Sequence, residues 1–123
     1  MASLNDLVFD DGLNVLDNNT ENLYILSGDP GVVWASLAAL ILGDKAAPTI
    51  AAPSDRGAGG REVIISAITD GDVTATGTAT HWALTDDSAT EILASGELAS
   101  SQAVTSGNVF TLTQFTIGVP DPA

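Results

Sequence analysis

The chain has 123 residues with 16 acidic side chains against 3 basic ones, a net charge of −13, and 45% hydrophobic content, which suits one globular domain burying roughly two thirds of its unfolded surface. Its only cations are Lys45, Arg56 and Arg61, so the field repels phosphates and disfavours direct binding to nucleic acid or an anionic membrane. The lack of cysteine removes disulfides, thiolate catalysis and cysteine metal sites.

The N-terminus MASLNDLVFDD is acidic and has neither a basic region nor a continuous apolar run. It does not read as a secretory signal, and the expectation is a protein made in the cytoplasm and used without export. Residues 1–20 are expected to form an N-terminal helical unit, with the helix over 5–17. Ser3 or Asn5 would cap it, Asp6 would face the positive end of its dipole, and Leu4, Leu7, Val8, Val15 and Leu16 would form its apolar stripe. Gly12 weakens that helix, and Asn18-Asn19 suits its end.

Residues 21–27 read as a strand and Gly28-Asp29-Pro30-Gly31 as a turn. The run VVWASLAALIL at 32–42 is the longest apolar stretch, far short of the ~20 residues a membrane span needs. Its spacing predicts a short helix or turn over 32–38 and a strand near 39–44. Residues 45–60 carry prolines and glycines without a sustained period and read as an extended loop, an arm toward a neighbouring subunit. Gly57-Ala58-Gly59-Gly60 is not a phosphate loop, because no Gly-Lys-Ser/Thr follows and a strand comes next.

Residues 61–119 form the expected β core. Val63, Ile64, Ile65 and Ile68 are followed by Asp70-Gly71-Asp72 and a Thr/Ala/Val-rich stretch to Leu84, which predicts a hairpin turning at 69–72. Asp86-Asp87-Ser88 turns into strand-like 91–97 and then 98–101, Thr105-Ser106-Gly107-Asn108 turns again, and 109–117 alternates as a last strand with Phe110 inward. Turn signals at this spacing predict a mainly β fold, an antiparallel β-sandwich of about seven or eight short strands with one N-terminal α-helix.

The candidate chemistry is thin. His81 is the sole imidazole, and alternation sets it with Ala79 and Ala83 on one face and Trp82 with Thr80 and Leu84 on the other. It reads as a packed or interface histidine rather than a catalytic one. Asp70-Gly71-Asp72 and Asp86-Asp87-Ser88 offer oxygen ligands, but no twelve-residue calcium loop accompanies them and turns favour Asp for backbone reasons. Tyr24, Trp34, Trp82 and the phenylalanines are dispersed, which fits core packing better than a sugar platform. No catalytic, cofactor or metal residue is assigned.

The segments G-R-E-V from Gly60, D-G-D-V-T-A-T-G-T-A-T-H-W-A-L from Asp70, I-L-A-S-G-E-L from Ile92, V-T-S-G-N-V-F from Val104 and the I-G-V-P-D close from Ile117 resemble a family of small virion structural proteins of tailed bacteriophages. The resemblance covers about half the chain, and the helix-then-strand start resembles these proteins more weakly. It implies a non-enzymatic particle component located on the capsid surface. In that role the protein would be a decoration or cement protein that bridges major capsid protein subunits and associates with copies of itself, as a trimer. The alternatives are a tail, neck or fibre position, or a receptor- or carbohydrate-binding module.

Overall fold

The computed structural model describes residues 3–4, 12–55 and 61–119. Among these the strands are β1 (Ser3–Leu4), β2 (Asn22–Leu26), β3 (Ile41–Ala46), β4 (Ser54–Asp55), β5 (Arg61–Ile65), β6 (Ile68–Val73), β7 (Gly77–Asp86), β8 (Glu91–Val104), β9 (Val109–Leu112) and β10 (Phe115–Val119), with one helix, α1 (Asn14–Asn19). All pairings are antiparallel. A curled seven-stranded sheet runs in the order β1-β8-β7-β2-β3-β6-β9, and a three-stranded sheet, β10-β5-β4, completes a sandwich-like fold. The mainly β expectation with an N-terminal helix holds.

Side-chain alternation explains the layering. On the inner face of the large sheet Leu23 and Ile25 of β2, Leu42 of β3, Val73 of β6 and Trp82 and Leu84 of β7 are buried together with Val63, Ile65 and Ile117 of the small sheet. Burying such aliphatic side chains contributes on the order of 1.5–3 kcal/mol each before entropy is set against it. The Trp82 and Phe115 rings, 4.7 Å apart at 42°, join the two sheets at one edge. Leu13, Val15 and Leu16 bring α1 into the same core.

The outer face of the large sheet is partly covered as well. Residues 27–40 fold back across it, with a 3-10 turn at Trp34–Ser36, so that Leu37 packs on Leu26, Ala83 and Ile92. The fully buried Ser95 hydroxyl donates to the Gly31 carbonyl and fastens this flap. Gly31 has φ +60°, which the preceding Pro30 and the Asp29 side chain, accepting from the Gly31 N–H at 2.8 Å, set up.

Several expectations change. The hairpin over 61–87 does not form: β5 belongs to the small sheet, β6 to the large one, and β6 pairs with β3 and β9 rather than with β7. Asp70-Gly71-Asp72 therefore lies within β6. The cause is spatial, since a Cβ at Gly71 would fall inside the Phe110 ring. Gly71 is not among the described glycines with positive φ, which are Gly12, Gly31 and Gly107, so it serves close packing rather than reversal.

The last strand is two strands, because residues 113–114 carry the chain from the large sheet (β9) to the small one (β10). Residues 91–104 are one 14-residue strand rather than two. The expected helix over 5–17 falls mostly outside the described residues. Its described part starts at Asn14 after left-handed Gly12 and runs to Asn19, with extended Thr20 as C-cap in place of left-handed Asn18-Asn19, and Leu4 belongs to β1.

The 45–60 loop is anchored where it is described. Lys45 and Ala46 complete β3, Ala51 N–H donates to the Ile64 carbonyl at 2.9 Å, and Ser54 and Asp55 pair with β5. Residues 56–60, with the glycine run, lie outside the described residues.

Candidate functional site

Two places gather side chains with chemistry, and β7 connects them. At its C-terminal end β7 meets the start of β2, and the chain reverses through the 3-10 turn Asp87–Ala89. There the Asp87 carboxylate accepts hydrogen bonds from Asn22 Nδ2 at 3.0 Å, from the Tyr24 hydroxyl at 2.7 Å and from the fully buried Thr85 hydroxyl. Glu21 accepts from the Ser88 N–H at 2.6 Å and from its hydroxyl at 3.0 Å, and Asp86 accepts from Ala89 N–H at 3.3 Å to cap the turn.

The electrostatics of this end are unusual for their sign. Asp44 and Asp72 stand directly opposite in the β3·β6 ladder, and Asp44 also pairs with Tyr24. Burial first, and then the charges of Asp72 and Asp87, push the Asp44 carboxyl above the ordinary range. Desolvation, followed by the hydrogen bond and charge of Asp87 and the charge of Asp44, raises the Tyr24 phenol well above its usual value.

Glu21 is held below the ordinary carboxylate range, first by the Ser88 backbone N–H and then by its hydroxyl. Asp86 is pushed up by burial and then by its hydrogen bond with Glu21. The donors around Asp87 are consumed within the fold, which makes this carboxylate a clasp between β2 and the β7–β8 connection. No group of three or more His, Asp or Glu side chains among the described residues is disposed to hold a metal ion.

The second place is a groove of about 300 Å³ between the middle of β8 and the β9–β10 connection. It exists because the ladder between β7 and β8 is irregular: Ala79 faces Gln102 and His81 faces Glu97, so Thr80 alone opposes residues 98–101. That excursion bends β8 away, and Trp82, Leu98, Ala99, Leu112 and Phe115 form the apolar lining with Glu97, Ser100, Gln102, Thr111 and Thr113 around it. Gly96 allows the bend's start, since a Cβ there would come within 2.9 Å of Trp82 Cζ2.

The same irregularity overturns the expected faces of β7. Ala79 is buried in the main core with Trp82 and Leu84, whereas Ala83 lies in the outer cluster. His81 pairs with Leu26 and Glu97, is half-buried, and its Nδ1 lies 2.8 Å from the Thr80 hydroxyl. Trp82 is only 6% exposed, so the groove does not offer the open aromatic platform on which a sugar ring stacks.

The sequence reading missed both places. Thr85-x-Asp87 at a strand end, where a hydroxyl and a carboxylate compete for local hydrogen bonds, was a usable sign of the clasp, and Gly96 within an apolar strand a sign of the bend. No family model, curated protein or solved structure matches the chain.

Proposed function

We propose that this chain is a non-enzymatic structural protein of a tailed-phage particle, a decoration or cement protein that covers joints between major capsid protein subunits. The observation that carries this reading is the run of segments from Gly60 to Asp121 that resembles small phage virion proteins.

The described portion of those segments supplies β5 to β10, the body of both sheets. What supports a covering role physically is a β body whose large sheet is packed on its inner face and partly covered on its outer one. The clusters of carboxylates and hydroxyls at the β7–β8 turn are engaged within the fold. Lattice multiplicity would give many weak contacts collective strength, with a trimer as the repeating unit.

Gradient-purified particles analysed by quantitative mass spectrometry test the reading. The expected result is this chain in fixed proportion to the major capsid protein. Its absence from particles refutes a virion role.

A further inference from the structure

We propose that the chain associates with further copies of itself by seating the tip of the 27–40 flap, with Val33 at its point, in the groove between β8 and the β9–β10 connection of a neighbouring copy. This gives the repeating unit of the proposed particle role an interface, and it is tested in solution, where its failure leaves the virion reading standing.

The flap is built to hold its tip out. Ser27 N–H donates to the Leu40 carbonyl at 2.9 Å and closes the neck, and the Ser95 hydroxyl fastens Gly31 from below. Leu37, 3% exposed, anchors the flap on Leu26, Ala83 and Ile92. Val33 N–H donates to the Pro30 carbonyl at 3.2 Å, and the Val33 carbonyl accepts from Ser36 N–H at 3.0 Å. Its backbone is thus held while its side chain stands 55% exposed. A tip ordered before contact loses little freedom on binding.

The groove is the matching half. Trp82, Leu98, Leu112 and Phe115 give it an apolar lining in about 300 Å³, and the Gln102 side-chain amide ties its two sides by donating to the Thr111 carbonyl at 2.7 Å. That bond occupies the main chain beside the gap, so the groove takes a protruding side chain rather than a further strand. Val109, 63% exposed, lies two residues before Thr111 and shares its face of β9. Val33 and Val109 are the exposed large hydrophobic side chains among the described residues, and contact of flap with groove covers both.

Charge points to a second copy as the occupant. Residues 30–43 carry no charge and neither do residues 98–119, and of the residues lining the groove only Glu97 is charged. On a chain of net charge −13 these are the surfaces on which two copies meet with the least repulsion between carboxylates. A basic partner would be drawn instead to carboxylate-bearing surfaces, such as the end of the large sheet with Asp44, Asp72 and Asp87. One molecule also presents both parts, since the flap and the groove share no residue. Such a pairing repeats from copy to copy and closes into a ring where the rotation allows.

The test is sedimentation of the full chain over a range of protein and salt concentrations, with NMR of labelled variants. The expected result is reversible association that tightens as salt rises, since salt screens the repulsion between copies. Val33→Asp, checked for native circular dichroism, should weaken association at least about tenfold by placing an unpaired carboxylate in an apolar groove. Ala99→Glu, at an exposed position of the groove lining, should do the same from the other side. Labelled Val33→Asp keeps its groove, and unlabelled Ala99→Glu keeps its flap, so their mixture should shift the labelled Trp82 indole and Thr111 amide saturably. Unlabelled Val33→Asp should not shift them. A chain that stays monomeric at every salt concentration would overturn the proposal. So would association that weakens with salt or is untouched by Val33→Asp, or a mixture of the two variants that moves no groove resonance.

Discussion

Asp70-Gly71-Asp72 and Asp86-Asp87-Ser88 are equally turn-like in sequence, and they end in opposite structures. The second reverses the chain between β7 and β8, with Asp87 drawing three side-chain donors and Ser88 held by Glu21. The first stays within β6, where the ladder to β9 shifts register between Ile68 and Gly71, with Gly71 under the Phe110 ring and Asp70 reaching Lys45 across the sheet. Local turn chemistry decides only where nothing larger claims the position. At 86–88 the surrounding donors reinforce the reversal, while at 70–72 an aromatic ring requires the empty space that glycine provides.

Breaking the Gly71 side of this contrast should give the largest effects. Phe110 is 2% exposed, so Phe110→Ala is expected to cost about 3–5 kcal/mol in denaturant unfolding. Gly71→Ala should cost about 1–3 kcal/mol through overpacking. If the conflict is with the ring, Gly71→Ala in a Phe110→Leu background should cost clearly less than in the wild type, with a coupling of about 0.5–3 kcal/mol. Additive losses would mean that Gly71 is needed for backbone conformation instead.

On the other side, Asp87→Ala leaves the Asn22, Tyr24 and Thr85 donors without their acceptor. The expected cost is about 1–3 kcal/mol, and phenol absorbance should show Tyr24 ionising closer to its ordinary 10.0. An unchanged Tyr24 titration would show that burial and the Asp44 charge set it without Asp87.

The smallest effect concerns the opposed aspartates. Asp44 is raised above its ordinary 3.8, so the unfolded chain ionises first and the fold loses stability as pH rises from that value through the raised one. Glu21 runs the other way. Its contribution is present above 4.5 and is lost as pH falls through its lowered folded value. Asp44→Asn should therefore raise the melting temperature slightly at pH 7 and leave it unchanged near pH 3, as thermal melts across that range would show.

Much of the β architecture was readable from residues. The strand within 21–27, the turn at 105–108 and the inward Phe110 all follow from strand and turn chemistry, and the structure has them. What escaped was sheet membership. The passages at residues 66–67 and 113–114, where the chain changes sheets, carry no glycine or proline, and the pairing of β6 with β9 depends on partners about 40 residues away in sequence.

The faces of β7 were misassigned for a related reason. A bulge is set by the two strands together, and the four residues of β8 opposite Thr80 cannot be read from β7. The clasp at Asp87 joins residues more than 60 positions apart, which a local reading sees only as a turn.

The central claim is the place of this protein on a phage particle, and imaging of the intact virion at subunit resolution tests it most directly. The account predicts density with the shape of this two-sheet body repeating over the outer head lattice, seated across joints between major capsid protein subunits. Density for the chain at the tail tip, tube or neck, with a bare head lattice, would contradict it.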